Sequence, residues 1–365
     1  MIKRAGYLRV KSGAVSIGRL GLDRDGLAVF EYAAEFIETG FSISPFFLPL
    51  KPGIFVAERS PFNGMFGVFS DSLPDGWGRL VLDRLLAEKG MDAALLTELD
   101  RLSITGANGM GALEYFPESK IAAGSSRADI EKLAAEVKKA LGEKKGADYG
   151  LLVKREGSSG GVRPKAIVRE GGAEWIVKFP GSSDRQDIGV VEYEYSAAAK
   201  KCGIIMEDTK LFNGKYYGIK RFDRRGKRKI HVISAAALLN ADFRIPSLDY
   251  TALMRAALAL TKDMREVVKV FRLMVFNVLS KNRDDHAKNF SFMYDSGKWR
   301  VSPAYDLVRS GGFNGRHTTT VAGSGLPGKK EIFAAAQKAG PDKKTARRVY
   351  DEVADNIKPL GKYLK

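Results

Sequence analysis

Seven of the eight residues Asn282 to Asn289 (NRDDHAKN) are polar or charged, directly after a long apolar helical pattern and before the apolar run FSFMY. Polar density of that kind beside core-like sequence marks a candidate site. Asp284 and Asn289 have four residues between them, the interval of a catalytic carboxylate and a metal-binding amide in a phosphoryl-transfer loop. Two strand-like pieces, FSFMY and KWRV, then carry the chain to Asp306 in SPAYDLV, where such a site places its second metal-binding carboxylate. Phosphoryl transfer needs a carboxylate to orient the attacking hydroxyl and take its proton, and hard oxygen ligands for Mg2+. Asp284 suits the first task, Asn289 and Asp306 the second. Taken singly, each of these residues serves equally well as a loop-closing side chain bonded to nearby backbone; their joint order and spacing favour the site. His286 and Lys288 are placed to meet phosphate or an acidic substrate, and His286 is equally readable as a loop histidine.

Upstream, Lys178 lies on the hydrophobic strand pattern EWIVKFP, where a lysine directed into a cleft would contact nucleotide phosphates. Such a lysine is usually paired with a helical carboxylate. Glu192 and Glu194 lie on the helix expected next, and Glu194 is the preferred partner. Before the strand comes GSSGGVRPK, whose glycines, Gly160 and Gly161 among them, let backbone wrap a phosphate while Arg163 and Lys165 add positive charge. The segment is not G-x-x-x-x-G-K-[ST]. Gly157 to Gly161 does satisfy G-x-S-x-G, the nucleophile elbow of α/β-hydrolases, but Ser159 leads into the strand-like PKAIV rather than a helix. The Gly106 to Gly111 cluster precedes strand-like ALEYF and reads as a turn.

These groups must be positioned by the remainder of 365 residues, 44% of them hydrophobic, enough for one large core or several ordinary ones. A single cysteine, Cys202, excludes an intramolecular disulfide, and three histidines exclude a His-rich metal cluster. No window has the length and apolarity of a signal or membrane segment, so a cytoplasmic protein is expected. The formal charge of +17 favours anionic ligands, and its densest run, Lys220 to Lys229, reads as a solvated turn. Residues 1–118 show short alternating segments and two helices, the first starting near Ser72 and stopping at Gly90, the second over AALLTELDRL. Residues 119–225 show an amphipathic helix, then strands about a Gly171-Gly172 turn; residues 226–365 are mainly helical. A β-rich N-terminal subdomain, a small lobe and a helical large lobe are therefore expected, in an α+β fold.

Together these stretches resemble the HipA family, the serine/threonine kinase toxins of bacterial toxin–antitoxin systems. The resemblance is carried by SPFFLPL, FGVFSDSLPDGWG and GANGMGALEYFPE in the N-terminal part, and by GGVRPKA, WIVKFP, EYEYSAAAK, IKRFDR, NRDDHAKNFSFM and VSPAYDLV beyond it. It implies a protein-kinase-like two-lobe fold using ATP and Mg2+, with Asp284 as catalytic base, Asn289 and Asp306 as metal ligands, and Lys178 as the phosphate lysine. Lys165 matches the basic end of the Gly-rich loop, and Lys220, Arg221 and Phe222 the hinge whose backbone holds adenine. It further implies autophosphorylation at Ser158, with Ser159 as the adjacent alternative, and lower activity once that loop carries a dianion. The implied substrate is a protein, with a translation component such as an aminoacyl-tRNA synthetase leading. The implied partner is a helix-turn-helix antitoxin, through which the chain meets DNA indirectly. A small-molecule kinase of the same fold, or an inactive scaffold in an antitoxin complex, are the alternatives.

Overall fold

The computed structural model describes residues 6–121, 129–142, 146–157 and 160–364. The chain forms two compact units, Met1–Val190 with Thr209–His231, and Val191–Asp208 with Val232–Lys365. Both mix helix and sheet, so the fold is α+β. Among the described residues no helix is long and apolar enough to cross a membrane.

Among the described residues the first unit holds three antiparallel sheets, the smallest of them the ribbon Arg224–Arg225 with Arg228–Lys229. Strands β1 (Tyr7–Ser12), β2 (Val15–Leu22), β3 (Ala28–Tyr32), β4 (Ile54–Val56) and β5 (Glu114–Phe116) order as β4-β3-β2-β1-β5. Period-two alternation sends Leu8, Val10, Leu20, Phe30 and Tyr32 to the buried face. There Phe30 meets Tyr32 and Phe69 at ring distances of 4.9 and 5.1 Å, and the Tyr32 hydroxyl donates to the Leu48 carbonyl at 2.8 Å. The second sheet contains β6 (Lys165–Glu170), β7 (Ala173–Lys178), β8 (Thr209–Phe212) and β9 (Tyr216–Lys220) in the order β6-β7-β9-β8. Gly171 and Gly172, both at positive φ, close the β6–β7 hairpin in two residues, which fixes the register that sets Lys165 opposite Lys178.

Helices Gly76–Glu88, Ile130–Leu141 and Tyr149–Glu156 join this second sheet in one core of Trp77, Val81, Leu133, Val137, Leu151, Ala166 and Val177. Two sequence expectations shift here. The first helix starts after Asp75, not near Ser72; Ser72 is buried and receives the Tyr115 hydroxyl at 2.7 Å instead of capping a helix. AALLTELDRL is not one helix but a 3-10 turn, Ala93–Leu95, and a helix, Glu98–Thr105. The break occurs because Thr97 and Asp100 form a reciprocal capping box, which starts a new helix.

The second unit is mainly helical. Asp249, Asp263 and Asp342 accept first-turn N–H groups and so start helices Tyr250–Thr261, Met264–Leu279 and Lys343–Asn356. Helix Lys329–Ala339 lies among them, and Leu253, Met254, Val270, Phe271, Met274, Ala335 and Val349 supply the core. FSFMY and KWRV form the expected hairpin, Ser291–Asp295 with Lys298–Val301. Leu248–Asp249 pairs in parallel with Thr319–Thr320, which returns the chain to the loop carrying Asp284.

Candidate active site

The candidate residues fall in two groups, one in each unit. In the second unit, helix Met264–Leu279 ends at Ser280, and Lys281 turns the chain at φ +55° into the segment Asn282 to Asn289. Asn282 Nδ2 donates to Asn277 Oδ1 at 3.0 Å, which fixes the start of that segment. A 3-10 turn, Ala287–Asn289, ends it, and Asn289 Nδ2 donates to the Asp284 carbonyl at 2.7 Å. Asp284 itself is exposed. Because the amide nitrogen of Asn289 is committed to that carbonyl, its Oδ1 is the atom left to act as a ligand.

The residue that holds this segment is Asp285, which sequence reasoning passed over. It is 1% exposed and its carboxylate collects four donors. Oδ1 accepts the Thr318 and Thr319 N–H groups at 2.9 and 3.2 Å, and Oδ2 accepts the Tyr250 hydroxyl at 2.9 Å and His317 Nδ1 at 2.8 Å. The Thr319 hydroxyl also bonds the Asp285 carbonyl. Tyr250 in turn receives Asn277 Nδ2 at 2.9 Å. Burial first, and then the neighbouring Asp285 carboxylate, push the Tyr250 phenol well above its ordinary pKa, so it stays a donor. The doubled Asp in NRDDHAKN was the only local sign, since every partner lies more than 25 residues away.

Asp306 stands in the loop after the hairpin at φ +58°. For an L-residue that left-handed conformation costs on the order of 1 kcal/mol and persists only where surroundings enforce it. The neighbouring Tyr305 supplies enforcement: its hydroxyl donates to the Lys288 carbonyl at 2.8 Å and lies 2.5 Å from Ser291 Oγ. The Asp306 segment is thereby tied to the segment ending in Asn289. The Lys288 ammonium sits 4.2 Å over the Phe243 ring, and the His286 ring lies 6.2 Å from the same ring, with its buried Nδ1 unbonded. Among the described residues no group of three or more His, Cys, Asp or Glu could hold a metal. Mg2+ carried with a nucleotide needs only one or two protein oxygens, and a carboxylate such as that of Asp306 and an amide oxygen such as Asn289 Oδ1 are of the hard-oxygen chemistry it takes.

In the first unit, Lys165 and Lys178 face the same side of the β6–β7 hairpin as directly opposed residues. Like charges so placed repel unless an anion or other partners intervene. Lys165 is buried and bonds the Gly160 carbonyl, while Lys178 lies 5.7 Å over the Tyr217 ring. Arg163 is paired with Asp184 at 3.3 Å. Gly160 and Gly161, at φ +69° and +84°, lead into β6, the strand that an elbow motif lacks. Ser158 and Ser159 lie outside the described residues.

Two expectations concern charged groups. Glu194 accepts the Tyr363 hydroxyl at 2.9 Å and pairs with Lys362 at 2.7 Å; the Lys362 bond, opposed by partial burial, holds its carboxyl below the usual range. Glu194 is therefore paired within its own unit, and Glu192 is buried. The run from Lys220 is not a solvated turn throughout. Arg221 and Asp223 are 2% and 0% exposed and bonded at 2.7 Å; Asp223 also receives Arg224 at 2.7 Å and the Gly111 N–H at 2.8 Å. Burial would raise the Asp223 carboxyl, but the two guanidiniums outweigh it and hold the pKa low. Arg221 and Arg224 also bond the Gly109 carbonyl, so this cluster braces the 106–111 turn. The Arg221 N–H is committed to the Glu174 carbonyl at 2.9 Å, and the buried Phe222 follows.

Two family profiles match the chain: the HipA N-terminal domain over residues 8–116 and the HipA-like C-terminal domain over residues 157–359, the latter more than half of the chain. A protein of Sinorhizobium fredii named "Putative kinase Y4dM" is 30% identical over 176 residues, 42% of this chain and 41% of the relative, so the match spans well under half of that protein. A chain from the Shewanella oneidensis MR-1 toxin–antitoxin complex of HipA, HipB and operator DNA superimposes with a TM-score of 0.70 at 20% identity. That likeness covers 97% of this chain and 89% of the other, and extends the shared fold over both units. With both halves of the family pattern present in order on one chain, the protein belongs to the HipA family.

Proposed function

We propose that the chain is an ATP-dependent serine/threonine protein kinase acting as the toxin of a toxin–antitoxin pair in the cytoplasm. The observation that carries this reading is the segment from Asp284 to Asn289, in which an exposed carboxylate rides on a backbone fixed by Asn289 and by the buried Asp285. In this reading the acceptor hydroxyl donates a hydrogen bond to the Asp284 carboxylate. Its oxygen forms the new bond to the γ-phosphorus as the bond to the bridging oxygen breaks, ADP departs, and Asp284 takes the proton. Mg2+, held by Asp306 and Asn289 Oδ1, would neutralise phosphate charge. Lys178 is proposed to contact the α- and β-phosphates, Gly160, Gly161 and Lys165 to shape the phosphate loop, and the backbone of Lys220 to Phe222 to hold adenine. His286 and Lys288 would face the acceptor side.

The name borne by the Sinorhizobium relative supports kinase activity, and the HipB and operator DNA of the Shewanella complex support a helix-turn-helix antitoxin partner that carries the chain to DNA. A translation component such as an aminoacyl-tRNA synthetase is the proposed substrate class, with autophosphorylation at Ser158, or at Ser159 beside it, lowering activity. The test is incubation with γ-labelled ATP, Mg2+ and cell extract. Label should pass to a discrete protein with the wild-type chain and fall by at least about 100-fold with Asp284→Asn, the scale of a lost general base. Equal transfer by the variant would remove Asp284 from the mechanism.

A further inference from the structure

Asp is among the preferred residues at a helix N-cap because its side chain accepts an N–H from the helix's own first turn. Asp75, at the N-cap of helix Gly76–Glu88, makes no such bond. Its Oδ1 instead accepts the Gly161 N–H at 2.6 Å, 86 residues further along the chain. The Gly161 carbonyl receives the Trp77 N–H at 3.1 Å, one of the first-turn donors that a helix leaves unsatisfied. Between these two contacts stands Gly76, at φ +43°, where a Cβ would lie 2.5 Å from the Gly161 carbonyl oxygen. The preceding Gly160 carbonyl is bonded by Lys165. Both polar groups of Gly161 are thus gripped by residues 75 to 77, which lie within the segment matching the HipA N-terminal domain.

We propose that Asp75 is a positioning residue for the Gly-rich loop: by holding Gly161 it sets the loop in the shape that receives nucleotide phosphates, and the N-terminal region thereby sets nucleotide affinity. The proposal rests on the kinase reading above. A carboxylate diverted from its own helix end to a loop distant in sequence trades local capping for control of that loop, and the glycine at 76 is what allows the approach. The Asp75 carboxylate touches the loop and not the reacting atoms, so its loss is expected in nucleotide binding rather than in the chemical step.

The full chain would be compared with Asp75→Ala and Asp75→Asn. Amide hydrogen exchange of the segment containing Gly161, read without nucleotide, should speed about 10-fold in Asp75→Ala, the worth of one charge-assisted hydrogen bond at a partly exposed site. The KM for ATP should rise by about 5- to 10-fold while kcat stays within about 2-fold. Asp75→Asn retains an acceptor oxygen but not the charge and should fall between wild type and Asp75→Ala in both readouts. Unchanged exchange in Asp75→Ala, unchanged or tighter ATP binding, or an Asn variant as impaired as Ala would each overturn the proposal. A wild-type chain that binds no ATP would overturn the kinase reading, whereas a failure confined to Asp75→Ala would overturn only the role of Asp75.

Discussion

Replacing Asp285 tests whether the buried network beside the candidate site is what holds it. In the wild type four donors converge on this carboxylate, two backbone N–H groups on Oδ1 and the Tyr250 hydroxyl and His317 Nδ1 on Oδ2. Asp285→Ala strands all four in a site that water does not reach, and at about 1–3 kcal/mol for each unsatisfied buried donor the loss is at least about 4 kcal/mol. That is a large share of the 5–15 kcal/mol by which proteins are typically stable. Asp285→Asn is gentler. Its Oδ1 still serves Thr318 and Thr319, but its NH2 faces the two side-chain donors, so two charge-assisted bonds are lost for roughly 3–6 kcal/mol. Tyr250→Phe removes one of those donors and should cost about 1–2 kcal/mol; combined with Asp285→Asn the costs should fall short of additive by about 1 kcal/mol, because one facing donor is gone. Urea denaturation followed by far-UV circular dichroism reads all three. An Asp285→Ala variant within about 0.5 kcal/mol of wild type would refute the reasoning.

Acid stability should depend on His231. It is buried with Nε2 at 2.9 Å from the Ile43 carbonyl, and burial pushes its pKa down to about 4. The unfolded chain takes up this proton near pH 6.5 and the folded chain only near pH 4, so stability is present above pH 6.5 and lost as the pH falls through that window, by of order 3 kcal/mol. A His231→Gln variant should show a flatter stability profile between pH 6.5 and 4; an identical slope would contradict the assignment. Asp306→Ala should weaken Mg2+-dependent nucleotide binding by about 10-fold or more while leaving Mg2+-independent binding unchanged, read by calorimetry with and without chelator.

The parts of this architecture legible in the sequence are those whose cause is local. The β6–β7 hairpin follows from two alternating runs about Gly171-Gly172, helix Ile130–Leu141 from its apolar period, and the Ser291–Val301 hairpin from FSFMY and KWRV. The segments carrying Asn289 and Asp306, marked in the sequence by their spacing, are linked through the Tyr305 hydroxyl at the Lys288 carbonyl and Ser291 Oγ. What stayed hidden depends on partners distant in the chain. Asp285 is inseparable from Asp284 in the sequence, because its role is written at positions 250 and 317 to 319. That Glu194 meets Lys362 and Tyr363 is likewise set far along the chain. Arg221 looked like part of a solvated basic run, yet Asp223 and the Gly109 carbonyl, 112 residues upstream, make it a buried brace.

The central proposal is that Lys178, Asp284, Asn289 and Asp306 serve one nucleotide. A crystal structure of the chain with Mg2+ and a non-hydrolysable ATP analogue tests it directly. The account predicts the α- and β-phosphates within hydrogen-bond reach of Lys178 Nζ, the metal on Asp306 and Asn289, and the γ-phosphate facing Asp284. A nucleotide bound with none of these four side chains in contact would contradict it.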